Sequence, residues 1–342
     1  MKTATPSMAR AINDRLALDL LLERGPLTAP QLRALTGLSR PTVSDLIERL
    51  RDSGLIEVTG ESGEDRRGPN ARLYGLVAQR AHVAGVDLRR DAVNVVVADI
   101  TGATAGSAST PLRDGVPLEE LIEGVVREAA GGRALDSVVI GAPGLVDPRD
   151  GELVSQNDVP GWRRGVMGAV RDRLGPGVPV VLENEVNLAA VAELRAGAAR
   201  GSADFVLLWL DDGIGAAVVL GGRLRRGASG GAGEVGFLEV GGSKFCDLVA
   251  PEVAGRLERA ELAGRVALGV SAFVALLDPG LVVLGGKRGH EGGDELAAEV
   301  AGRLRELAPA PAEVRASTVA GNAVLQGAVL TALDLTRDRI FG

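Results

Sequence analysis

The chain has 342 residues, of which 46% are hydrophobic and 24% charged, and its formal net charge at pH 7 is −7. This composition is typical of a globular protein, and the length predicts two or three domains. The single cysteine, Cys246, excludes a disulfide within the chain, and the two histidines, His82 and His290, lie too far apart in sequence to favour a Cys/His zinc site. No metal or cofactor is therefore expected.

The distribution of charge and apolar residues bears on location and partners. Residues 1–25 lack the apolar core and cleavage site of a signal peptide, and no uncharged apolar run approaches about 18 residues, so we expect a cytoplasmic protein without a membrane span. Residues 1–80 contain 12 Lys/Arg and 10 Asp/Glu, for a net charge of +2, whereas the remainder carries −9. A polyanionic partner is thus expected to meet the first 80 residues.

Three helices are predicted in this N-terminal segment. The first runs from about Asn13 to Arg24 and ends before Gly25-Pro26. The second starts at Thr28-Ala29-Pro30-Gln31, a capping box with proline in the first turn, and ends at Gly37. The third is capped by Ser39 and carries an apolar stripe that includes Val43, Leu46, Ile47 and Leu50. Two helices joined by a tight "TGLS" turn are typical of a helix-turn-helix.

The segment "LIEVTGESGEDRRGPNARLYGL" follows, and its two ends can pair as a β-hairpin, which predicts a winged helix-turn-helix over residues 1–80. The start of the third helix would enter the major groove of DNA, where hydroxyls and arginine can reach phosphates and base edges. Arginines in the wing suit phosphate or minor-groove contact. The predicted DNA contacts are Ser39, Arg40, Thr42, Ser44, Arg66, Arg67 and Arg72. The alternative is a plain helical bundle with a solvated charged loop, but the order of caps, turn, wing and basic tip favours the winged helix.

From residue 81 onwards, strands alternate with helices in two rounds that each open with a β-hairpin. Such a pattern predicts two α/β lobes with a cleft between them, over residues 81–200 and 201–342. The last helix, from about Asn322, belongs to the second lobe or returns to the first. The motifs "GVDLRRD", "IGAPGLVD", "SQNDVPGW", "LENEVNLAAVAEL", "GIGAAVVLGGRLRRGASGGAGEVGF" and "LLDPGLVVLGG" occur in that order. In this order they resemble the ROK family of repressors, open reading frames and kinases. The resemblance implies an actin/hexokinase-like fold, and the N-terminal segment is similar to the DNA-binding head of the family's regulators.

The resemblance also implies two glycine-rich hairpin turns that, in the family's kinases, present backbone N–H groups to the phosphates of ATP. The first turn here holds Arg89 and Arg90, which we expect to be a solvated turn, with attraction of an anion as the alternative. The second turn places Asp211 and Asp212 where phosphates would bind, although Asp212-Gly213 also fits an ordinary Asp-Gly turn. Two carboxylates beside a phosphate at about 4 Å cost on the order of 1–4 kcal/mol.

The positions that match the family's sugar and zinc sites also depart from its pattern. The family's base is an aspartate after Glu-Asn, but Glu185 follows Asn184 here, and Asn184 could equally cap the next helix. The family's Gly-Glu-Ile-Gly-His becomes "GEVGF", which keeps Glu234 and replaces histidine by Phe237, a residue we expect to pack in the core. Of the family's zinc-binding cysteines, Cys246 alone remains.

These departures predict a DNA-binding transcriptional regulator, most simply a repressor, with a catalytically inactive ROK-type body and no catalytic residues. The alternative is an ATP-dependent sugar kinase. The expected partners are double-stranded DNA with a palindromic operator, a second copy of the chain in a dimer or tetramer, and a sugar-like or other small effector. The candidate effector contacts are Asn157, Asn184, Glu185 and Glu234.

Overall fold

The computed structural model of the protein describes residues 6–62, 71–113, 115–154, 159–308, 310 and 312–342. The N-terminal head is made of three helices and a small sheet in which a two-residue strand pairs antiparallel with the wing hairpin. Sequence patterning predicts the hairpin but not that first short strand. The elements of the head are α1 (Pro6–Arg24), β1 (Leu27–Thr28), α2 (Ala29–Thr36), α3 (Arg40–Asp52), β2 (Ile56–Ser62) and β3 (Ala71–Leu76).

The ends of α2 and α3 form as their sequences predict. The Thr28 side chain accepts a hydrogen bond from the Gln31 backbone N–H, and the Gln31 side chain accepts one from the Thr28 N–H, which completes the capping box. Gly37 ends α2 in the left-handed conformation, at φ 71°. The predicted stripe of α3 is buried, with Leu46 at 1% exposure. The predicted winged helix-turn-helix is confirmed.

The first lobe is built on a five-stranded sheet in the order β6-β5-β4-β7-β8, in which β4, β5 and β6 are antiparallel and β4, β7 and β8 are parallel. One face of this sheet packs against α4 and α5 around a core of valine, leucine and isoleucine. The elements are β4 (His82–Leu88), β5 (Ala92–Asp99), β6 (Thr104–Pro111), α4 (Leu118–Ala130), β7 (Ser137–Ala142), α5 (Val166–Leu174), β8 (Val180–Asn184) and α6 (Glu185–Ala196).

The second lobe repeats this topology with a sheet in the order β11-β10-β9-β14-β15, again with an antiparallel half and a parallel half. The repetition confirms the predicted two-lobed α/β fold. The elements are β9 (Phe205–Leu210), β10 (Ile214–Leu220), β11 (Arg223–Arg225), β12 (Glu239–Val240), β13 (Ser243–Lys244), α7 (Phe245–Val249), α8 (Pro251–Ala254), α9 (Arg259–Leu277), β14 (Leu281–Gly285), α10 (Gly286–Leu307) and β15 (Glu313–Ala316).

One helix of the second lobe, α9, is long and strongly apolar. By length and composition, α9 could cross a membrane, but in the structure it packs on α10 and on the apolar core of the second lobe. Such composition is equally typical of a core helix in a globular protein.

The last helix, α11 (Ala323–Phe341), leaves the second lobe and packs on the first sheet and on α6. Two glycines allow close approach: a Cβ on Gly85 would meet Val329, and one on Gly327 would overlap the carbonyl of Leu188 in α6. The far end of α11 reaches the head, where Phe341 is 5% exposed within the apolar core of α1, α2 and α3. One helix therefore connects the body with the core of the head.

Candidate functional site

The N-terminus of α3 presents the predicted DNA-contacting residues. Ser39 caps the helix: its Oγ accepts the Thr42 backbone N–H at 3.3 Å and lies 2.8 Å from the Thr42 Oγ. Arg40 and Ser44 are exposed. The two exposed side chains are available to a ligand directly, whereas the hydroxyls of Ser39 and Thr42 already serve the cap.

The placement of α3 is fixed by an ion pair to α1, in which Arg49 Nη2 lies 2.5 Å from Asp14 Oδ1. Hydrogen bonding to Asp14 raises the pKa of Arg49, so this cation stays charged and bound to its partner. On the wing, Arg72 of β3 is exposed. The predicted contacts Arg66 and Arg67 lie outside the described residues.

The cleft between the lobes opens at the first hairpin turn, between β4 and β5. Arg89 Nε donates to Asp87 Oδ2 at 2.7 Å, and Asn322 Nδ2 donates to the same oxygen at 2.6 Å. Asp87 is 2% exposed, so its charge is compensated internally. Among the described non-glycine residues only Asp278 has a positive φ, which means that the Arg89-Arg90 turn forms without the left-handed backbone that would call for glycine.

The second turn, between β9 and β10, is also engaged by neighbouring groups of the protein. The Asp211 N–H donates to the Gly213 carbonyl at 3.2 Å, and Asp211 Oδ2 accepts the Lys287 backbone N–H at 3.3 Å. Gly213 has no positive φ, so the turn differs from the type I′ turn that Asp-Gly favours. Asp87, Arg89, Trp209 and Asp211 line a cavity of about 390 Å³ at this point.

Three of the four predicted effector contacts meet in an adjoining cavity of about 220 Å³, lined by Asn184, Glu185 and Glu234. Asn184 caps α6, because its Oδ1 accepts the N–H groups of Val186 and Asn187, and its Nδ2 donates to Glu185 Oε2 at 2.6 Å. Burial, with the nearby carboxylate of Glu234 as a smaller cause, raises the pKa of Glu185 to about 8. Glu185 is therefore a neutral acid at pH 7.

The outcome for the other residues considered in the sequence, Asn157, Phe237 and Cys246, differs from that for Asn184, Glu185 and Glu234. Asn157 lies outside the described residues. The expectation that Phe237 packs in the core is wrong: the side chain is 71% exposed, and Lys244 Nζ lies 5.6 Å from its ring centroid. The short turn Val235–Phe237 buries Val235 instead, and directs the phenyl ring outwards. Among the described residues, no cluster of three His, Cys, Asp or Glu is placed to hold a metal ion, and Cys246 contacts Asp247.

Sequence patterning missed an ion pair that joins the lobes. Arg226, directly after β11, donates its Nε to Glu183 Oε2 of β8 at 2.6 Å. Glu183 is 5% exposed and also accepts Asn187 Nδ2 at 2.9 Å. Only the three-dimensional pairing reveals this contact, because 43 residues separate its partners. The pair links β8 of the first lobe to the segment that follows β11 of the second.

Comparison with known proteins gives this arrangement its context. Residues 83–248 match the ROK family, and residues 12–68 match the MarR family. The chain joins a ROK domain to a MarR-like winged-helix domain. The region that matches the ROK family begins in β4, ends within α7, and includes both hairpin turns and Glu234.

Curated proteins similar to this chain are named as repressors. It is 24% identical to the xylose repressor of Bacillus subtilis strain 168 over 248 residues, which are 70% of this chain and 63% of that protein. It is also 24% identical to the DNA-binding transcriptional dual regulator NagC of Escherichia coli K12 over 245 residues, 68% of this chain and 58% of that protein. The matched region spans less than two thirds of either relative.

Solved structures with this fold include enzymes and regulators. The ROK hexokinase from Thermus thermophilus is 25% identical, with a TM-score of 0.65, over 75% of this chain and 99% of that chain. A ROK family transcriptional regulator described as a homolog of the E. coli MLC protein is 16% identical, with a TM-score of 0.74, over 97% of this chain and 99% of that chain. The second likeness covers the head as well as the body.

Proposed function

We propose that the protein is a DNA-binding transcriptional repressor. The observation that carries this proposal is the winged helix-turn-helix with an exposed α3 N-terminus, joined to a ROK domain. The repressor names of the curated relatives support it. A DNA-binding repressor acts in the cytoplasm of a bacterium, and we propose that location for this protein.

In the proposed complex, α3 enters the major groove with its N-terminus first. Arg40 is exposed at the first position of the helix, where a guanidinium can form two hydrogen bonds to guanine. Ser44, one turn later, is also exposed and can reach a phosphate or base edge. Arg72 on the wing, with Arg66 and Arg67, would bind the backbone or the minor groove.

We propose that the body supplies dimerisation, so that two heads bind the half-sites of a palindrome. An apolar face of α9 supports this proposal: Leu276 is 83% exposed and Leu268 37% exposed. Exposed apolar surface of this kind often marks an interface. In light-scattering measurements, Leu276→Glu should shift the mass from dimer to monomer, while Leu335→Glu, at a leucine of α11 that is 43% exposed, should not. A monomeric wild-type protein would contradict the proposal.

The cleft is proposed to hold a small polar effector, with a sugar as the class that the ROK fold suggests. The cavity offers both hydrogen-bond donors and acceptors, from Asn184, Glu185 and Glu234. A protonated Glu185 can donate a hydrogen bond, and Glu234 can accept one. A closed cleft keeps the Arg226–Glu183 pair intact. An effector that favours a different lobe angle would bias the spacing of the two heads.

The helix α11 offers a route for that bias. Near its N-terminal end, Asn322 contacts Asp87 at the cleft, and at its C-terminal end Phe341 is buried in the head. Because α11 is held by close backbone packing along α6, a displacement at the cleft would move the whole helix rather than bend it.

Sugar phosphorylation is the competing activity, and the cleft geometry speaks against it. Asp87 is already paired with Arg89 and Asn322, and the Arg89 side chain lies in the turn that would have to face phosphates. With a pKa of about 8, Glu185 is mostly protonated at pH 7, so only a minor fraction is in the carboxylate form that could accept a proton from a sugar hydroxyl. Incubation with ATP, Mg²⁺ and a panel of hexoses should release no ADP above background. Turnover at about 1 s⁻¹ or faster, as is usual for kinases, would contradict the proposal.

The proposal as a whole is tested by selection of bound duplexes from random DNA. We expect enrichment of a palindrome whose affinity falls with rising salt concentration, because bound phosphates release counterions. Arg40→Gln should relax the preference at one position in each half-site, whereas Arg305→Gln, a control on α10, should select the wild-type site. Failure to enrich any sequence would contradict the proposal.

A further inference from the structure

A large cavity lies at the junction of head and body, away from the cleft. Its volume is about 1030 Å³. One wall is α1 of the head, with Arg15, Asp19 and Leu22, and the opposite wall is α11 together with β5 and β6. Nothing in the proposed DNA contact or in the proposed effector cleft uses this space.

The floor of the cavity is apolar and belongs to the body. Val96 and Ala98 of β5 face Val329 and Leu333 of α11. Ala98 and Leu333 are buried, whereas Val96 and Val329 remain partly exposed towards the cavity. A floor of this kind favours an apolar ligand group of modest size, because removal of the group's apolar surface from water lowers the free energy of binding.

Most charges on the cavity wall already have partners. Arg15 is paired with Asp19 at 3.1 Å and with Asp338 at 2.9 Å. Arg195 is paired with Asp334 at 2.6 Å. The remaining carboxylate, Glu23, is exposed. Arg15 and Arg195 are therefore neutralised without a ligand.

Arg337 is the exception. Its Nε and Nη2 both donate to the carbonyl oxygen of Ile100, at 3.0 and 2.7 Å, and among the described residues no carboxylate oxygen lies within 4.0 Å of the guanidinium. Burial lowers the pKa of Arg337, which indicates that the cation is only partly compensated, chiefly by Asp334 one turn away. A half-buried guanidinium with a free Nη1 edge, above an apolar floor, has the geometry to bind an anionic group.

We infer that this cavity binds a small amphipathic organic acid, with its anionic group on Arg337 and its apolar part on the floor between β5 and α11. Because α1 contributes the opposite wall, the occupant contacts both head and body. The site is separate from the interlobe cleft, and its occupation does not depend on DNA binding or on a sugar effector.

The test is calorimetric titration of the full-length protein with two probes, anilinonaphthalene sulfonate and the uncharged N-phenyl-naphthylamine, which share an apolar frame. The sulfonate probe should bind one strong site about tenfold or more tighter than the uncharged probe, because a charge-assisted hydrogen bond is added. Arg337→Gln should remove that preference, and Arg337→Lys should retain most of it. Arg339→Gln is the matched control, since Arg339 lies on the same helix, is exposed and pairs with Asp136 outside the cavity.

Three outcomes would overturn the inference. The first is equal affinity of the wild type for the two probes, which needs no variant and is independent of folding. The second is an unchanged preference in Arg337→Gln, and the third is an equal loss in Arg339→Gln, with circular dichroism showing that the variants are folded. All three outcomes can be interpreted even if the DNA selection fails, because none of the measurements involves DNA.

Discussion

Removal of the Phe341 side chain should release the head from the body. The ring is 5% exposed in the head core and lies 5.7 Å from the guanidinium carbon of Arg15. A buried Phe→Ala change costs about 3–5 kcal/mol, and the lower end applies because a residue at the end of a helix leaves room for relaxation. The cation–π contact, at a partly exposed site, adds about 0.5–1 kcal/mol.

A loss of about 3 kcal/mol increases the population of the released head by roughly a hundredfold. Hydrogen exchange of α1 amides should therefore accelerate by up to that factor in Phe341→Ala. Amides of β4 and β7, in the centre of the first sheet, should be nearly unaffected, since both strands keep their neighbours. Both tryptophans, Trp162 and Trp209, lie in the body, so the urea midpoint of tryptophan fluorescence should change little.

The matched control is Leu335→Ala, on the same helix but 43% exposed. Its exchange pattern should equal that of the wild type, because an exposed leucine contributes little to either core. Unchanged α1 exchange in Phe341→Ala would refute the role given to this residue. Equal acceleration in α1 and in the first sheet would refute the claim that the effect is confined to the head.

Further predictions concern the cleft, the α11 packing and the wing. The pKa of Glu185 is raised from an ordinary 4.5 to about 8, so folding takes up a proton between these values and stability falls as pH rises through that window. In the wild type, the free energy of unfolding should fall by up to about 1.4 kcal/mol per pH unit between pH 5 and 8, and urea titrations of Glu185→Gln should lack this fall. Parallel plots of unfolding free energy against pH for the two proteins would count against the raised pKa. Gly327→Ala should destabilise the protein by about 1–3 kcal/mol, because the added Cβ meets the Leu188 carbonyl. The control is Gly264→Ala on α9, where nothing lies within 4 Å of the added Cβ, and this change should be neutral or stabilising. An unchanged stability of Gly327→Ala would contradict the close packing of α11 on α6. Arg72→Gln should weaken the binding of all duplexes alike, and it should reduce the slope of log binding constant against log salt concentration by about one. A change in the preferred sequence would show that Arg72 contacts bases instead.

The fold could be predicted from local signals wherever the signals are strong. Thr28, Gln31 and Gly37 define α2 by themselves, and Asn322 marks the start of α11, because caps depend on neighbouring residues only. The two-lobed fold was predictable from the two rounds of strands and helices that each open with a β-hairpin. Strand β6 is not predictable in this way, because its residues, Thr104–Pro111, are small or polar and lack a strong apolar period.

The site was harder to predict because its contacts join distant parts of the chain. Arg226 with Glu183 and Asn322 with Asp87 are pairs that no local pattern identifies. The orientation of Phe237 was predicted wrongly, since an apolar residue type was taken to imply burial; a three-residue turn at its position exposes the ring instead. A sequence gives the residue types of a cleft, but the partners depend on how the lobes close.

Sequence-specific binding is tested by measuring the affinity of the full-length protein for a selected duplex and for a scrambled duplex of equal length and composition, at one fixed salt concentration. A sequence-specific repressor should prefer the selected duplex by about a thousandfold or more. Arg40→Gln should reduce that preference, while the Arg305→Gln control keeps it. Equal affinity for the two duplexes would contradict the proposal that this protein is a sequence-specific repressor.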